Sequence, residues 1–108
     1  MEDKDTIRRL FKQSQPFFTA LGDPIRQELL ILMIDEVSLS VKELTAHTNL
    51  SRPTISHHLK ILKDAQIIEE HKKGRQTFYR PQIHSYFYTI KELIDAIDSA
   101  VEKEINRS

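Results

Sequence analysis

Apolar residues recur every three or four positions along most of the chain, which is the period of amphipathic α-helices. The pattern predicts a helix over residues 5–14, an interruption at Pro16, and a short buried helix over residues 17–21. Asp23 precedes a proline and has the character of an N-cap, so it predicts a further helix, the most apolar of the chain. Residues 36–40 are predicted to form a short extended segment.

Two short helices are predicted over about residues 41–65. Ser40 starts the first, because its hydroxyl and the carboxylate of Glu43 form the sequence pattern of a capping box. Ser51 is the N-cap that starts the second. About four residues join the two helices, with Leu50 as an apolar plug, and this spacing is that of a helix-turn-helix.

The second of these helices has two contrasting faces. Ile55, Leu59 and Leu62 recur at helical spacing and form an apolar stripe that anchors the helix. The rest of its surface offers hydrogen-bond donors and positive charge, from Arg52, Ser56, His57, Lys60 and Lys63. A DNA major groove accepts a helix of this kind. Ordinary surface helices share these features, so the neighbouring segments decide the interpretation.

A two-stranded hairpin is predicted over about residues 67–81, directly after the second helix. Its strands contain β-branched and aromatic residues, and Lys73-Gly74 is the predicted turn. Lys72, Lys73 and Arg75 give the tip a positive charge. Beside a helix-turn-helix, such a wing is suited to contact DNA phosphates or the minor groove, whereas the alternative is a solvated loop.

The last helix is predicted over about residues 83–105. Its apolar residues are spaced alternately four and three apart, as in a heptad seam, and are Ile83, Phe87, Ile90, Ile94, Ile97 and Val101. A helix this long and this regularly striped exceeds what the core of a 108-residue monomer needs. We therefore expect it to pair with a second copy of the chain, together with the first helix. Packing against its own domain is the alternative.

Charge is unevenly distributed, although the chain as a whole is neutral with 16 basic and 16 acidic side chains. Residues 42–80 carry eight basic and four acidic side chains. Residues 1–41 and 81–108 each carry two more acidic than basic side chains. The basic excess coincides with the helix-turn-helix and the wing, which favours a nucleic-acid partner.

Composition excludes several kinds of site. The chain has no cysteine, which excludes disulfides, zinc–thiolate sites and thiol redox sensing. No apolar run approaches the ~20 residues that span a bilayer, and the charged N-terminal segment does not have the pattern of a secretory signal. We therefore expect one cytoplasmic domain over residues 1–108 without membrane contact. An enzyme is not expected, because no carboxylate pair lies beside a nucleophile and no phosphate loop is present.

Three segments of the chain resemble motifs of the ArsR family of winged-helix repressors, and they occur in the same order as in that family. Phe18–Arg26 is similar to that family's F-x-A-L-x-D-P-T-R segment, Ser51–Ala65 to its recognition helix, and Arg75–Tyr79 to its wing. The resemblance covers residues 15–105 or so. It implies a mainly α fold with a small β-hairpin, a winged helix-turn-helix, which forms a homodimer through the first and last helices. It also implies a repressor that binds imperfect palindromes in double-stranded DNA.

Two departures from the family's pattern concern a helix end and the sensor sites. Gln66 stands where the family usually has the glycine that ends the recognition helix, which implies either strain or a different helix end. The segment before that helix lacks the cysteines of the family's thiolate sensor. The family's second metal site corresponds here to positions with only one imidazole, namely Gln82, His84, Asp95 and Asp98. The chain therefore resembles the metal-independent members, so no metal or cofactor is expected and the inducer is unknown.

Each candidate DNA-binding residue has a predicted role. Arg52, Thr54, Ser56 and His57 are expected to read base edges, Lys60 and Lys63 to hold phosphates, and Lys72, Lys73 and Arg75 to contact DNA from the wing. For Arg52, a phosphate contact or plain solvation is the alternative, and His58 is expected to pack half-buried. Two further hypotheses remain open, namely a metal or small-molecule inducer at the dimer interface, and a winged helix used as a protein-interaction module.

Overall fold

The computed structural model describes residues 2–36 and 38–107, over which five α-helices accompany a small antiparallel sheet. In chain order the elements are α1 (Glu2–Leu21), α2 (Pro24–Glu36), β1 (Leu39–Ser40), α3 (Val41–Ala46), α4 (Arg52–Asp64), β2 (Ile68–Lys73), β3 (Gln76–Pro81), a 3-10 helix (Ile83–Tyr86) and α5 (Phe87–Arg107). The predicted mainly α fold with a winged helix-turn-helix is confirmed. Val37, in the predicted extended segment, lies outside the described residues. The described residues group into a central unit, 17–36 and 38–83, and a terminal unit, 2–16 and 84–107.

The core of the central unit is built from α2, α3, α4 and the sheet. α2 packs against α4 and β3, and α4 packs against β2. The predicted apolar stripe of α4 is confirmed as part of this core. From α2 to β2, the residues that are at most 2% exposed are Leu29, Met33, Leu39, Leu44, Ile55, Leu59, Leu62, Ile67 and Ile68. Their burial holds α4 by one side and leaves its opposite side in solvent.

The sheet has three strands in the order β1-β3-β2, whereas the sequence predicted only the two-stranded hairpin. In the added strand, Leu39 pairs with Tyr79 and Ser40 with Phe78. The prediction of an extended segment is thus confirmed at Leu39 and Ser40. Its pairing with a strand some forty positions later was missed. This pairing joins the start of the helix-turn-helix to the wing.

α2 begins at the predicted N-cap. The Asp23 carboxylate accepts hydrogen bonds from the backbone N–H groups of Ile25 at 2.8 Å and Arg26 at 3.3 Å. Burial raises the pKa of Asp23, but these two hydrogen bonds and the nearby charge of Arg26 outweigh it and leave the pKa below its ordinary value. The carboxylate is therefore ionised at neutral pH, as a cap at the positive end of a helix should be.

α1 is continuous, so the predicted interruption at Pro16 is wrong. Leu10 and Ser14 before the proline and Ala20 after it are each at most 1% exposed, and the helix runs without a break from Glu2 to Leu21. A proline in a helix interior removes one backbone hydrogen bond and typically costs about 3 kcal/mol. Burial of side chains on both sides of Pro16 is the compensating contribution.

The terminal unit consists of the first part of α1 and all of α5, packed in opposite directions. Asp3 forms an ion pair with Lys103 at 2.7 Å, and Arg9 lies 3.8 Å from Glu92. Leu93 of α5 is 3% exposed. It lies outside the predicted heptad seam, so the sequence did not predict its burial. No helix among the described residues, α1 and α5 included, has the length and apolar character that crossing a membrane requires.

Candidate nucleic-acid interface

The two helices of the helix-turn-helix are fixed by the predicted caps. The Ser40 hydroxyl accepts from the Glu43 backbone N–H, and the Glu43 carboxylate accepts from the Ser40 backbone N–H, both at 3.1 Å, which completes the capping box. Ser51 caps α4 by accepting from the Thr54 backbone N–H at 3.3 Å. α3 ends at Ala46, so five residues separate it from the start of α4 at Arg52. Local hydrogen bonds therefore define where α4 begins.

α4 ends in a left-handed residue, which resolves the alternatives raised by the sequence. Gln66 has φ +61°, and its backbone N–H donates to the Lys63 carbonyl at 2.9 Å. The Ile67 backbone N–H donates to the Leu62 carbonyl, also at 2.9 Å. These two bonds are a Schellman motif with glutamine in the position that glycine normally takes. The helix end is therefore the usual one, formed by a residue that is strained in it.

Arg26 connects α4 to the rest of the central unit, and the sequence analysis gave this residue no role. Its guanidinium donates to the carbonyl oxygens of Ala20 at 2.6 Å and Thr19 at 3.3 Å. It also lies 3.2 Å from Nδ1 of His58, which is 8% exposed and therefore more buried than predicted. Since a guanidinium only donates hydrogen bonds, Nδ1 of His58 accepts this one. The contact fixes α4 relative to the start of α2.

The predicted base-reading residues lie on the side of α4 that faces away from the core. Arg52, Ser56 and His57 are exposed. Thr54 is half-buried, and its hydroxyl oxygen accepts a hydrogen bond from the Ser51 hydroxyl at 2.9 Å. Thr54 can still donate its own hydroxyl hydrogen, so all four side chains retain hydrogen-bonding capacity towards a ligand.

Lys60 and Lys63 are exposed but already carry acidic partners. The Lys60 ammonium donates to Asp64 at 2.7 Å, and the Lys63 ammonium donates to Glu70 of β2 at 3.1 Å. The hydrogen bond to Glu70 and its negative charge raise the pKa of Lys63. A phosphate must therefore compete with a carboxylate for each of these two lysines.

The wing presents its cations without such competition. Gly74 and Arg75 form a two-residue loop between Lys73 and Gln76, one position later than the predicted turn. Gly74 has φ +67°, as expected for the first central residue of a type II′ turn. Lys72, Lys73 and Arg75 are exposed, and none of them forms an ion pair within the part of the chain that the structure describes.

A cleft of about 370 Å³ lies between α3, the start of α4 and the wing. Lys42, Arg52 and Arg75 bring three cationic side chains to it, one from each element. The cleft is lined by Ser40, Val41, Lys42, Arg52, Ser56, Arg75, Gln76, Thr77 and Tyr79. None of these described lining residues carries a carboxylate. Lys42 was missed by the sequence analysis, because only the strand pairing of β1 brings α3 beside the wing.

Three of the four positions that correspond to the family's second metal site, Gln82, His84 and Asp95, are engaged in other contacts. The Gln82 side chain donates to the Ile68 carbonyl at 3.1 Å. The His84 ring stacks on Phe87, with 5.7 Å between ring centroids, and Asp95 accepts from Lys91 at 3.1 Å. Within residues 2–36 and 38–107, no three histidine or acidic side chains lie close enough together to hold a metal ion.

Comparison with known proteins identifies the family. A family model described as "Bacterial regulatory protein, arsR family" matches residues 23–70. The chain is 34% identical over 88 residues to an HTH-type transcriptional regulator of Methanocaldococcus jannaschii, and the alignment covers 82% of this chain and 94% of the regulator. The chain belongs to the ArsR family. The predicted family is thus confirmed, and as a family of transcriptional regulators it agrees with the expectation that the chain is not an enzyme.

One further relative and one solved structure are similar to this ArsR-family chain. The chain is 40% identical over 62 residues to the transcriptional repressor SdpR of Bacillus subtilis, and this alignment covers 57% of the chain and 68% of SdpR. An ArsR-like transcriptional regulator from Rhodococcus sp. RHA1 has the same fold, with a TM-score of 0.73 over 90% of this chain and 87% of the other at 24% identity. The predicted kinship to metal-independent members stays a prediction.

Proposed function

We propose that this ArsR-family chain is a transcriptional repressor that binds a palindromic operator in double-stranded DNA as a homodimer. The observation that carries the proposal is α4, which is anchored by its buried stripe and offers Arg52, Ser56 and His57 on its exposed side. Such a helix fits a major groove, where side chains of these types distinguish base edges. The name of SdpR, a transcriptional repressor, supports repression over activation.

The roles within the interface follow from charge and pairing. Arg52, Thr54, Ser56 and His57 read base edges, and the unpaired wing cations Lys72, Lys73 and Arg75 contact phosphates. Lys60 and Lys63 hold phosphates only after they give up their carboxylate partners. The wing therefore contributes more to the salt dependence of binding than the end of α4 does.

The homodimer is supported by a stripe of exposed apolar residues on α5. Phe87, Ile94 and Val101 recur every seven residues and are 52%, 54% and 51% exposed, and Ile105 extends the stripe at 66%. Phe11 of α1 is also 46% exposed. A heptad-spaced apolar surface of this kind is buried by pairing with a second helix. Two subunits would then present two α4 helices to half-sites about 34 Å apart.

The proposed repressor needs no metal for DNA binding. The engaged positions Gln82, His84 and Asp95, together with the absence of cysteine from the sequence, favour the metal-independent alternative. Because its proposed partner is chromosomal DNA, the proposal places the protein in the cytoplasm. Zinc added to the dimer is expected to leave operator affinity unchanged, and a zinc-dependent loss of affinity would instead support the inducer hypothesis.

A gel shift with the region upstream of the chain's own coding sequence tests the proposal. The double variant Arg52→Ala/His57→Ala should lose specific binding, because each good base contact contributes about 1–3 kcal/mol of discrimination. Lys12→Ala, which removes an exposed lysine of α1, is the matched control and should bind as the wild type does. Unchanged binding by the double variant would show that α4 does not read the operator.

A further inference from the structure

The cleft between α3, α4 and the wing is a cationic concavity of the central unit. Lys42 enters it from the first turn of α3, Arg52 from the first turn of α4, and Arg75 from the wing turn. The nearest acidic residue in sequence, Glu43, is engaged by the Ser40 backbone N–H at 3.1 Å and does not line the cleft. Three separate elements therefore bring positive charge to one place, and no carboxylate is among the described residues that line it.

The chemistry of the lining favours a phosphate group over other anions or an apolar ligand. An ammonium and two guanidinium groups supply charge, and the side chains of Ser56, Gln76 and Thr77 supply further hydrogen-bond donors. The N-terminal end of α4, a 13-residue helix, adds its partial positive charge on the same side. The volume of about 370 Å³ admits a phosphodiester with parts of its flanking sugars.

We propose that this cleft binds one phosphate of the DNA backbone and thereby sets the register of α4 in the groove, with Lys42 as a contact residue. The inference rests on the proposed function, since it names how the same surface holds its DNA. A phosphate held from three directions fixes the distance between α4 and the wing along the strand. It contributes affinity and position rather than sequence preference.

The contact predicts a specific change in the salt dependence of binding. Each lysine that neutralises a phosphate contributes about 0.9 to the slope of log affinity against log salt concentration. Lys42→Gln should therefore lower the slope by about one unit per protomer, both on the chain's upstream duplex and on a scrambled duplex of equal length. Lys42→Arg should retain the slope, because it keeps the charge, and Lys12→Gln should match the wild type.

A second measurement assigns the contact to a single phosphate. Duplexes in which one phosphate at a time is replaced by a neutral methylphosphonate are titrated with the wild type and with Lys42→Gln. At one position per half-site, neutralisation should weaken wild-type binding about tenfold, as for a lost charged hydrogen bond. It should weaken Lys42→Gln by a smaller factor, because the groups from α4 and the wing still contact that phosphate while the lysine no longer does. Thermal unfolding of Lys42→Gln checks that the exposed substitution leaves the fold intact.

The outcomes separate this inference from the proposed function. A wild type without salt-dependent affinity for either duplex would overturn the proposed function itself. A wild type that binds with a steep slope, combined with an unchanged slope for Lys42→Gln, would overturn the phosphate cleft alone. An equal loss of slope in Lys42→Arg and Lys42→Gln would also overturn it, because the effect would then not follow the charge.

Discussion

Gln66 offers a stabilising substitution at the end of the helix that carries the candidate interface. Its φ of +61° lies in the left-handed region, its side chain is exposed, and both Schellman hydrogen bonds at this helix end join backbone groups. Gln66→Gly should keep both Schellman bonds and remove the steric cost of a Cβ in this conformation. We expect the variant to be more stable than the wild type.

The magnitude follows from two opposing contributions. A non-glycine residue in the left-handed region costs about 1–2 kcal/mol. Glycine gives back about 0.5–1 kcal/mol through the greater freedom of the unfolded chain. The net gain in the free energy of unfolding is therefore about 0.5–1 kcal/mol, which corresponds to a rise in Tm of about 2–6 °C for a domain of this size.

Denaturant unfolding at one fixed protein concentration measures this gain, since the stability of a dimer depends on concentration. Gln66→Ala should give no gain, because alanine retains the Cβ. Gln13→Gly, at an exposed position within α1, should instead lose about 1 kcal/mol. A Gln66→Gly variant that is no more stable than the wild type would refute the strain at this helix end.

Three further predictions concern the interface, the core and the dimer. Glu70→Gln should free Lys63 for a phosphate contact. A salt titration of DNA binding should then show higher affinity and a slope of log affinity against log salt concentration that is steeper by up to about one unit per protomer. An unchanged slope would mean that Lys63 does not reach DNA. Leu44→Ala should lower the free energy of unfolding by about 2–5 kcal/mol in denaturant unfolding, because Leu44 is 0% exposed. Ile94→Glu should convert the dimer to a monomer in sedimentation equilibrium, and a persisting dimer would exclude the α5 stripe as the interface.

Features fixed by neighbouring residues could be predicted from the sequence. The caps at Asp23, Ser40 and Ser51 each depend on hydrogen bonds over two or three residues, and all three form as predicted. The buried stripe of α4 follows from helical spacing alone. These short-range rules were sufficient to locate α4 and to predict which side of it faces solvent.

Features that depend on distant residues could not be predicted in this way. The pairing of Leu39 with Tyr79 and the ion pair of Lys63 with Glu70 each require knowledge of the folded chain. The contact between Arg26 and His58 is of the same kind. Such contacts decide which cations are free to bind a ligand. The sequence therefore predicted which side of α4 is exposed, but not which of its lysines are paired with carboxylates.

The central proposal is that two copies of α4 read two half-sites of one operator. A hydroxyl-radical footprint on the upstream duplex tests it most directly, because it reports both the position and the number of contacts. We predict two protected patches with centres about one helical turn, or ~34 Å, apart, both of which disappear in Arg52→Ala/His57→Ala. A single patch, or protection that survives in the double variant, would contradict the proposal.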